Sequence, residues 1–224
     1  YCAIWCNSCY SLIMALNING TTGISGVDGS VSAPALTGTD SNTGITFPAA
    51  DTIKFATGGV ERMQITNSGV NATGHILQVV QTIKKDQFTT ASTVSSGGYV
   101  DITGLSVSIT PSSSSSKILL MSTIYNSNST AVNFFRILRG STFIEQPSGT
   151  SASGANWNAH GFAYFTGSFQ DTTVINILDS PSTTSATTYK VQAACTSAVV
   201  TINKFYNSTN YYGISTLTAM EVGG

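Results

Sequence analysis

Apolar and polar residues alternate along much of this chain, and no long stretch repeats apolar positions at i, i+3, i+4 and i+7. Period-two alternation marks a half-buried strand, because successive side chains of a strand point to opposite faces. The pattern is clearest in residues 99–110 (YVDITGLSVSIT), 117–125 (KILLMSTIY), 188–193 (TYKVQA), 199–205 (VVTINKF) and 215–222 (STLTAMEV). Gly, Asn, Ser and Pro punctuate these β-branched and aromatic runs, as they do in all-β sandwiches and barrels. Strands are expected near 75–83, 99–109, 117–125, 133–139, 142–145, 159–166, 172–179, 188–194, 199–205 and 215–222, with almost no helix. Such a succession predicts an antiparallel jelly roll, a β-sandwich of two sheets. The serine tract 112–116 then reads as a loop between two strands.

Residues 14–74 have a different character. They are Gly-rich, with short strand candidates at 45–47, 52–56 and 62–66 and turn signals at 40–44, 58–59 and 67–69. Each apolar run is too short to close a core of its own, and an isolated hairpin of this kind is marginal in water. Packing with other chains would bury Ile18, Ile24, Ile45, Phe47, Ile53, Phe55 and Ile65. Gly20, Gly23, Gly26 and Gly29 fall every third residue, but these triplets hold no Pro and the run stops, so a turn-rich linker is expected rather than collagen. The expected organisation is a short β-rich N-terminal segment, 14–74, followed by a jelly-roll head, 75–224.

Composition narrows the function. Of the 224 residues 41% are apolar, enough for a sizeable core, and only 8% are charged, against roughly 25% in an average globular protein. The net charge is -1 and the cations are scattered, with only Lys84/Lys85 and Arg136/Arg139 close together. Binding a phosphate backbone needs clustered cations, so no nucleic-acid partner is expected, and no polybasic segment suggests a membrane surface. No apolar run approaches the ~20 residues of a membrane helix.

The first thirteen residues, YCAIWCNSCYSLI, lack the positive start of a signal peptide. Cys2, Cys6 and Cys9 have the spacing of a radical-SAM iron–sulfur motif, but no alternation of strands and helices follows to build the barrel such enzymes need. A zinc site would lack its fourth ligand. Met14 opens sequence of a new character, so translation is expected to start there, with 1–13 a non-native upstream extension.

Within 14–70, the stretch GVDGSVSAPALTGTDSNTGITFPAADTIKFATGGVERMQITNSGV carries Ser32-Ala33-Pro34, Asp40…Thr43-Gly44-Ile45, Gly58-Gly59-Val60-Glu61-Arg62, Ile65 and Ser68-Gly69 in order. It resembles a segment of bacteriophage tail fibres and related virion proteins, notably of marine phages. The C-terminal block, ending STLTAMEV, is similar in style to the jelly-roll heads of trimeric fibres and of tumour-necrosis-factor-like proteins. The resemblance implies a homotrimeric structural protein of a virion, a tail-fibre or appendage subunit whose partners are other virion proteins and a host-surface glycan or protein. A capsid fibre or decoration protein is the alternative, and a bacterial carbohydrate-binding or adhesin module a further one.

Catalytic chemistry is sparse. The histidines are His75 and His160, and no G-x-S-x-G surrounds a serine. His160 reads as structural and His75 as a boundary residue. Glu145 and Asp171 are the best carboxylate pair for glycoside hydrolysis, yet nothing in the sequence brings them together. Residues 40–51 echo a calcium loop, but Ile45 stands where its sharp-turn Gly belongs, so a hairpin is expected. The chain is therefore expected to be no enzyme and to need no cofactor or metal. Contact with a receptor is the more plausible chemistry. Asn156, Trp157 and Asn158 form one candidate loop, and Asn207, Tyr211 and Tyr212 another. Aromatic faces flanked by amides suit a pyranose ring, and equally suit packing between subunits.

Overall fold

The computed structural model describes residues 17–19, 23–25, 28–94, 98–148, 158–208 and 210–224. The chain forms two compact units, Tyr1–Asn67 and Ser68–Gly224.

The smaller unit is a succession of short antiparallel pairings. Strands β1 (Asn17–Asn19) and β2 (Gly23–Ser25) form one hairpin, and β3 (Gly29–Ser30) and β4 (Ala33–Pro34) another. Strands β5 (Leu36–Thr37), β6 (Gly44–Ala49), β7 (Thr52–Thr57) and β8 (Val60–Thr66) follow as a meander. The β7–β8 turn is Gly58-Gly59, with φ of 59° and 74°. Two residues with positive φ give the turn whose twist matches a hairpin, and glycine adopts it without a Cβ clash. The Asp40 carboxylate accepts from Asn42 N at 3.2 Å and Thr43 Oγ1 at 2.6 Å, so the calcium-like motif is a turn closed on itself. Very little is buried here: among the described residues, Pro34, Thr46 and Ala56. Ile45, Phe55 and Ile65 are half-buried, Phe47 and Ile53 are exposed, and the side chains of Ile18 and Ile24 lie outside the described set.

The larger unit opens with β9 (Gly69–Asn71) and continues with β10 (Ile76–Lys84), β11 (Phe88–Thr90), β12 (Val100–Ile109), β13 (Lys117–Asn128), β14 (Val132–Arg139) and β15 (Thr142–Phe143). After these come β16 (Gly161–Tyr164), β17 (Phe169–Asp179), β18 (Thr187–Cys195), β19 (Val200–Ile202) and β20 (Ser215–Val222). The front sheet has the order β10-β20-β13-β19-β11, with β17 along the other side of β13. The back sheet runs β12-β18-β14, and β15 and β16 share the far side of β14. The described chain is nearly all β, and consecutive long strands cross between two antiparallel sheets, the jelly-roll sandwich expected from the alternation.

Facing sides of the sheets enclose the core. Leu105, Val107 and Ile109 of β12, Phe135 and Ile137 of β14, and Tyr189 and Val191 of β18 meet Ile118, Leu120 and Ile124 of β13, Ile175 of β17 and Leu217 and Ala219 of β20. Full burial of each large apolar side chain contributes roughly 1.5–3 kcal/mol.

Three polar clusters sit inside. Asp179 accepts two bonds from Arg139 Nη1, at 2.9 and 2.8 Å, and one from the Tyr189 hydroxyl at 2.6 Å. Burial and the neighbouring Asp179 raise the Tyr189 phenol far above its ordinary range. Glu221, fully buried on β20, accepts from Gln78 Nε2 at 2.6 Å and from Ser112 N and Oγ at 2.7 Å. Asn126, Asn128 and Asn133 bond to one another at the far end of the sandwich, which explains why β13 runs on to Asn128 although the apolar alternation stops at Tyr125. Asn203 ends β19 early: at φ 61° its side chain donates to the Lys84 and Asp86 carbonyls.

Candidate functional site

Two outer surfaces of the sandwich hold apolar or unsatisfied groups. The first is the outward face of the front sheet. Strand pairing lines up Val79, Met220, Leu119 and Leu178 in one row, and Gln81, Thr218, Met121 and Asn176 in the next. Ile83, Thr216, Thr123 and Val174 make a third. The intervening positions, such as Val80, Ala219, Leu120 and Ile177, face the core, so sheet geometry forces these rows outward. Val79 and Val174 are each 57% exposed, and Ile83, Met121 and Leu178 are exposed as well. None of the twelve side chains in these rows is charged. At ~4.8 Å between strands and ~6.7 Å between rows, the face covers about 400 Å². The largest apolar patch of a monomer is commonly about 300–600 Å² and often functional.

The second surface is the outward face of the back sheet. Asp101, Gln192 and Arg136 stand opposite one another on β12, β18 and β14. Arg136 Nε donates to Gln192 Oε1 at 2.9 Å, and Gln192 Nε2 donates to Asp101 Oδ1 at 2.7 Å. Lys190 Nζ takes the other Asp101 oxygen at 2.8 Å. Burial works against the Asp101 charge, but the bonds from Lys190 and Gln192 outweigh it, and its pKa lies below the ordinary value. The Arg136 guanidinium lies 3.9 Å from the centre of the Tyr99 ring and 5.2 Å from that of Phe143. Burial pushes the Tyr99 phenol up to about 12, partly opposed by Arg136, and its hydroxyl donates to the Asn158 carbonyl at 3.0 Å.

Beside this cluster β16 presents Phe162 and Tyr164, 68% and 70% exposed. The cause lies in Gly161 and Ala163, which face β17. A Cβ on Gly161 would sit 2.8 Å from Thr173 Cγ2, so only small residues fit inward and the large rings must point out. Phe162 pairs with Phe134, with ring centres 6.4 Å apart, and Phe134 is the next outward position along β14 from Arg136.

The residues proposed from sequence are divided by the fold. Asn156 and Trp157 lie outside the described residues. Asn158 sits beside Tyr99 at the back sheet. Asn207, at φ 60°, and Tyr211 and Tyr212 belong to the loop between β19 and β20. That loop is closed by Phe205 N donating to the Tyr211 carbonyl at 3.1 Å and by a bridge between Lys204 and Tyr212. Tyr211 meets Phe205 edge-on at 5.9 Å, and both tyrosines are exposed. Asn158 thus lies by the back sheet, whereas Tyr211 and Tyr212 lie in a connection between strands of the front sheet. Sequence reasoning passed over Tyr99, Arg136, Gln192, Phe162 and Tyr164, although the alternation in FFRIL and GFAYF places Arg136, Phe162 and Tyr164 at outward positions.

His160 joins β14 to the segment after β15. Its Nδ1 accepts from Ile137 N at 3.0 Å and its Nε2 donates to the Ile144 carbonyl at 2.8 Å. The ring completes the edge of β14 beyond the last residue paired with β16. Glu145 follows β15 on the back sheet, and Asp171 lies on β17 of the front sheet opposite Asn126. Among the described residues no three His, Cys, Asp or Glu side chains gather as metal ligands.

No family model and no curated protein matches the chain. Similar solved structures include those of infectious bursal disease virus. The Gt strain is 14% identical with a TM-score of 0.35, over 88% of this chain and 56% of that one. The Gx strain is 12% identical at 0.35, over 88% and 54%. The VP2 subviral particle of the same virus is 12% identical at 0.34, over 88% and 55%. The chain spans little more than half the length of each, and similarity at this level carries no argument about assembly or function.

Proposed function

We propose that this chain is a non-enzymatic structural subunit of a virus particle, a phage tail-fibre or appendage component, working as a homotrimer among other virion proteins. The outward face of the front sheet carries the reading. An uncharged face that leaves Val, Ile, Leu and Met side chains in water among Thr, Gln and Asn favours association, and a neutral surface meets copies of itself without repulsion. The smaller unit supports the same conclusion, since among its described residues the meander buries little on its own. The resemblance of residues 26–70 to a tail-fibre segment supports that kind of particle.

Light scattering at micromolar concentration tests the assembly. A mass three times the 23.3 kDa chain is expected, and a folded monomer would refute it. Met121→Lys places a cation inside the face and Val174→Lys one at its corner, and each should yield folded monomer. Antiserum against the chain with gold-labelled electron microscopy of virions is expected to mark the tail. Label on the capsid would assign it to a capsid fibre or decoration.

A further inference from the structure

Arg136 is tightly oriented, yet its contacts among the described residues leave part of its hydrogen-bonding capacity unused. Its guanidinium is half-buried, flanked by Tyr99 at 3.9 Å and Phe143 at 5.2 Å, and fixed through Nε by Gln192. The nearby carboxylate, Asp101, is occupied by Lys190 and Gln192. Among the described residues no acceptor takes the two terminal amino groups of this planar fork. A guanidinium oriented by stacking loses little freedom on binding, and its fork matches a carboxylate with two parallel hydrogen bonds. One outward position away, Phe162 lays an exposed ring on the same face, with Tyr164 beyond it. An aromatic face takes the apolar side of a sugar ring.

We propose that the outward face of the back sheet binds an acidic saccharide, with the uronate carboxylate on the Arg136 fork and the adjoining pyranose on Phe162. A saccharide fits better than a run of acidic residues, because such a peptide has no face to lay on the Phe162 ring, whereas a sugar uses fork and ring together. The lone fork also argues against nucleic acid, since Lys190 beside it is already paired with Asp101. The site lies on the opposite sheet from the proposed assembly face and does not depend on the chain's place in a virion.

The test titrates the full-length protein, as purified, with tetragalacturonate, with a neutral tetrasaccharide and with tetraglutamate, by isothermal calorimetry or amide chemical shifts. Tetragalacturonate should bind with Kd of about 1 mM or tighter, and the other two should not. R136K keeps the charge but loses the fork and the stacking, so it should weaken binding at least about tenfold. F162A, on an exposed side chain, should weaken it while leaving Tm and oligomer mass unchanged. Three results overturn the proposal: no uronate binding by the wild type at about 10 mM, wild-type affinity in R136K or F162A, or equal binding of tetraglutamate. Because light scattering reads assembly separately, failure here leaves the oligomer to stand or fall alone.

Discussion

At the residue scale, buried polar groups decide where the strand ends lie. Glu221 pins β20 to the loop after β12 through Gln78 and Ser112. Burial tends to raise its pKa, but those hydrogen bonds outweigh it and hold the carboxyl below its ordinary range. Its stabilising contribution is therefore complete above the unfolded value of about 4.3 and disappears as pH falls through the lower folded value. Glu221→Gln should cost about 1.5–3 kcal/mol at neutral pH, read by urea denaturation, and the gap to wild type should close in acid. His160 behaves in the same sense for a different reason. Burial lowers its pKa, with Arg136 adding to the effect and Ile144 and Glu145 opposing it. Accepting the Ile137 N–H requires a neutral Nδ1. The ring's contribution is full above the unfolded value of about 6.5 and fades as pH falls through the depressed folded one. His160→Gln should be less stable than wild type at pH 8, with the difference shrinking below about pH 6.5. The sequence shows His160 only as a histidine beside a strand, because its partners are backbone groups of residues 137 and 144.

At the element scale, alternation guided only part of the sandwich. Strands β12, β18 and β20 fall where apolar and polar residues alternate. Strands β10, β13, β14 and β17 carry adjacent apolar pairs and are legible as β-branched and aromatic runs between turn signals. Strand β11 was missed, since Phe88–Thr90 is too short for a period to register, and it exists because β19 offers it a ladder. Short β16 shows how an element can be set by its neighbour. Gly161 lies so close to Thr173 that the sheets tolerate no branched side chain there. Gly161→Val should force β16 away from β17 at a cost of about 1–3 kcal/mol, and the displaced Phe162 ring should change its near-ultraviolet circular dichroism.

At the scale of the whole molecule, the two units differ in how much they bury. The larger has a continuous two-sheet core, and the smaller has almost none among its described residues. Residues 68–224 alone should therefore fold cooperatively in urea, with a slope fitting their size. Residues 14–67 alone should give no cooperative transition at low concentration. A trimer retained by 68–224 would locate assembly in the front-sheet face, and its loss would locate it in the smaller unit. The all-β class and the Gly58-Gly59 hairpin follow from the sequence by itself, because side-chain period and turn conformation are local properties. What only the tertiary structure decided is which residues share a face. Pairing carries Met220 between Val79 and Leu119, and sets Arg136 beside Tyr99, thirty-seven positions earlier in the chain. Strand order across a sheet is settled by the packing of distant segments, and no local pattern in the chain records it.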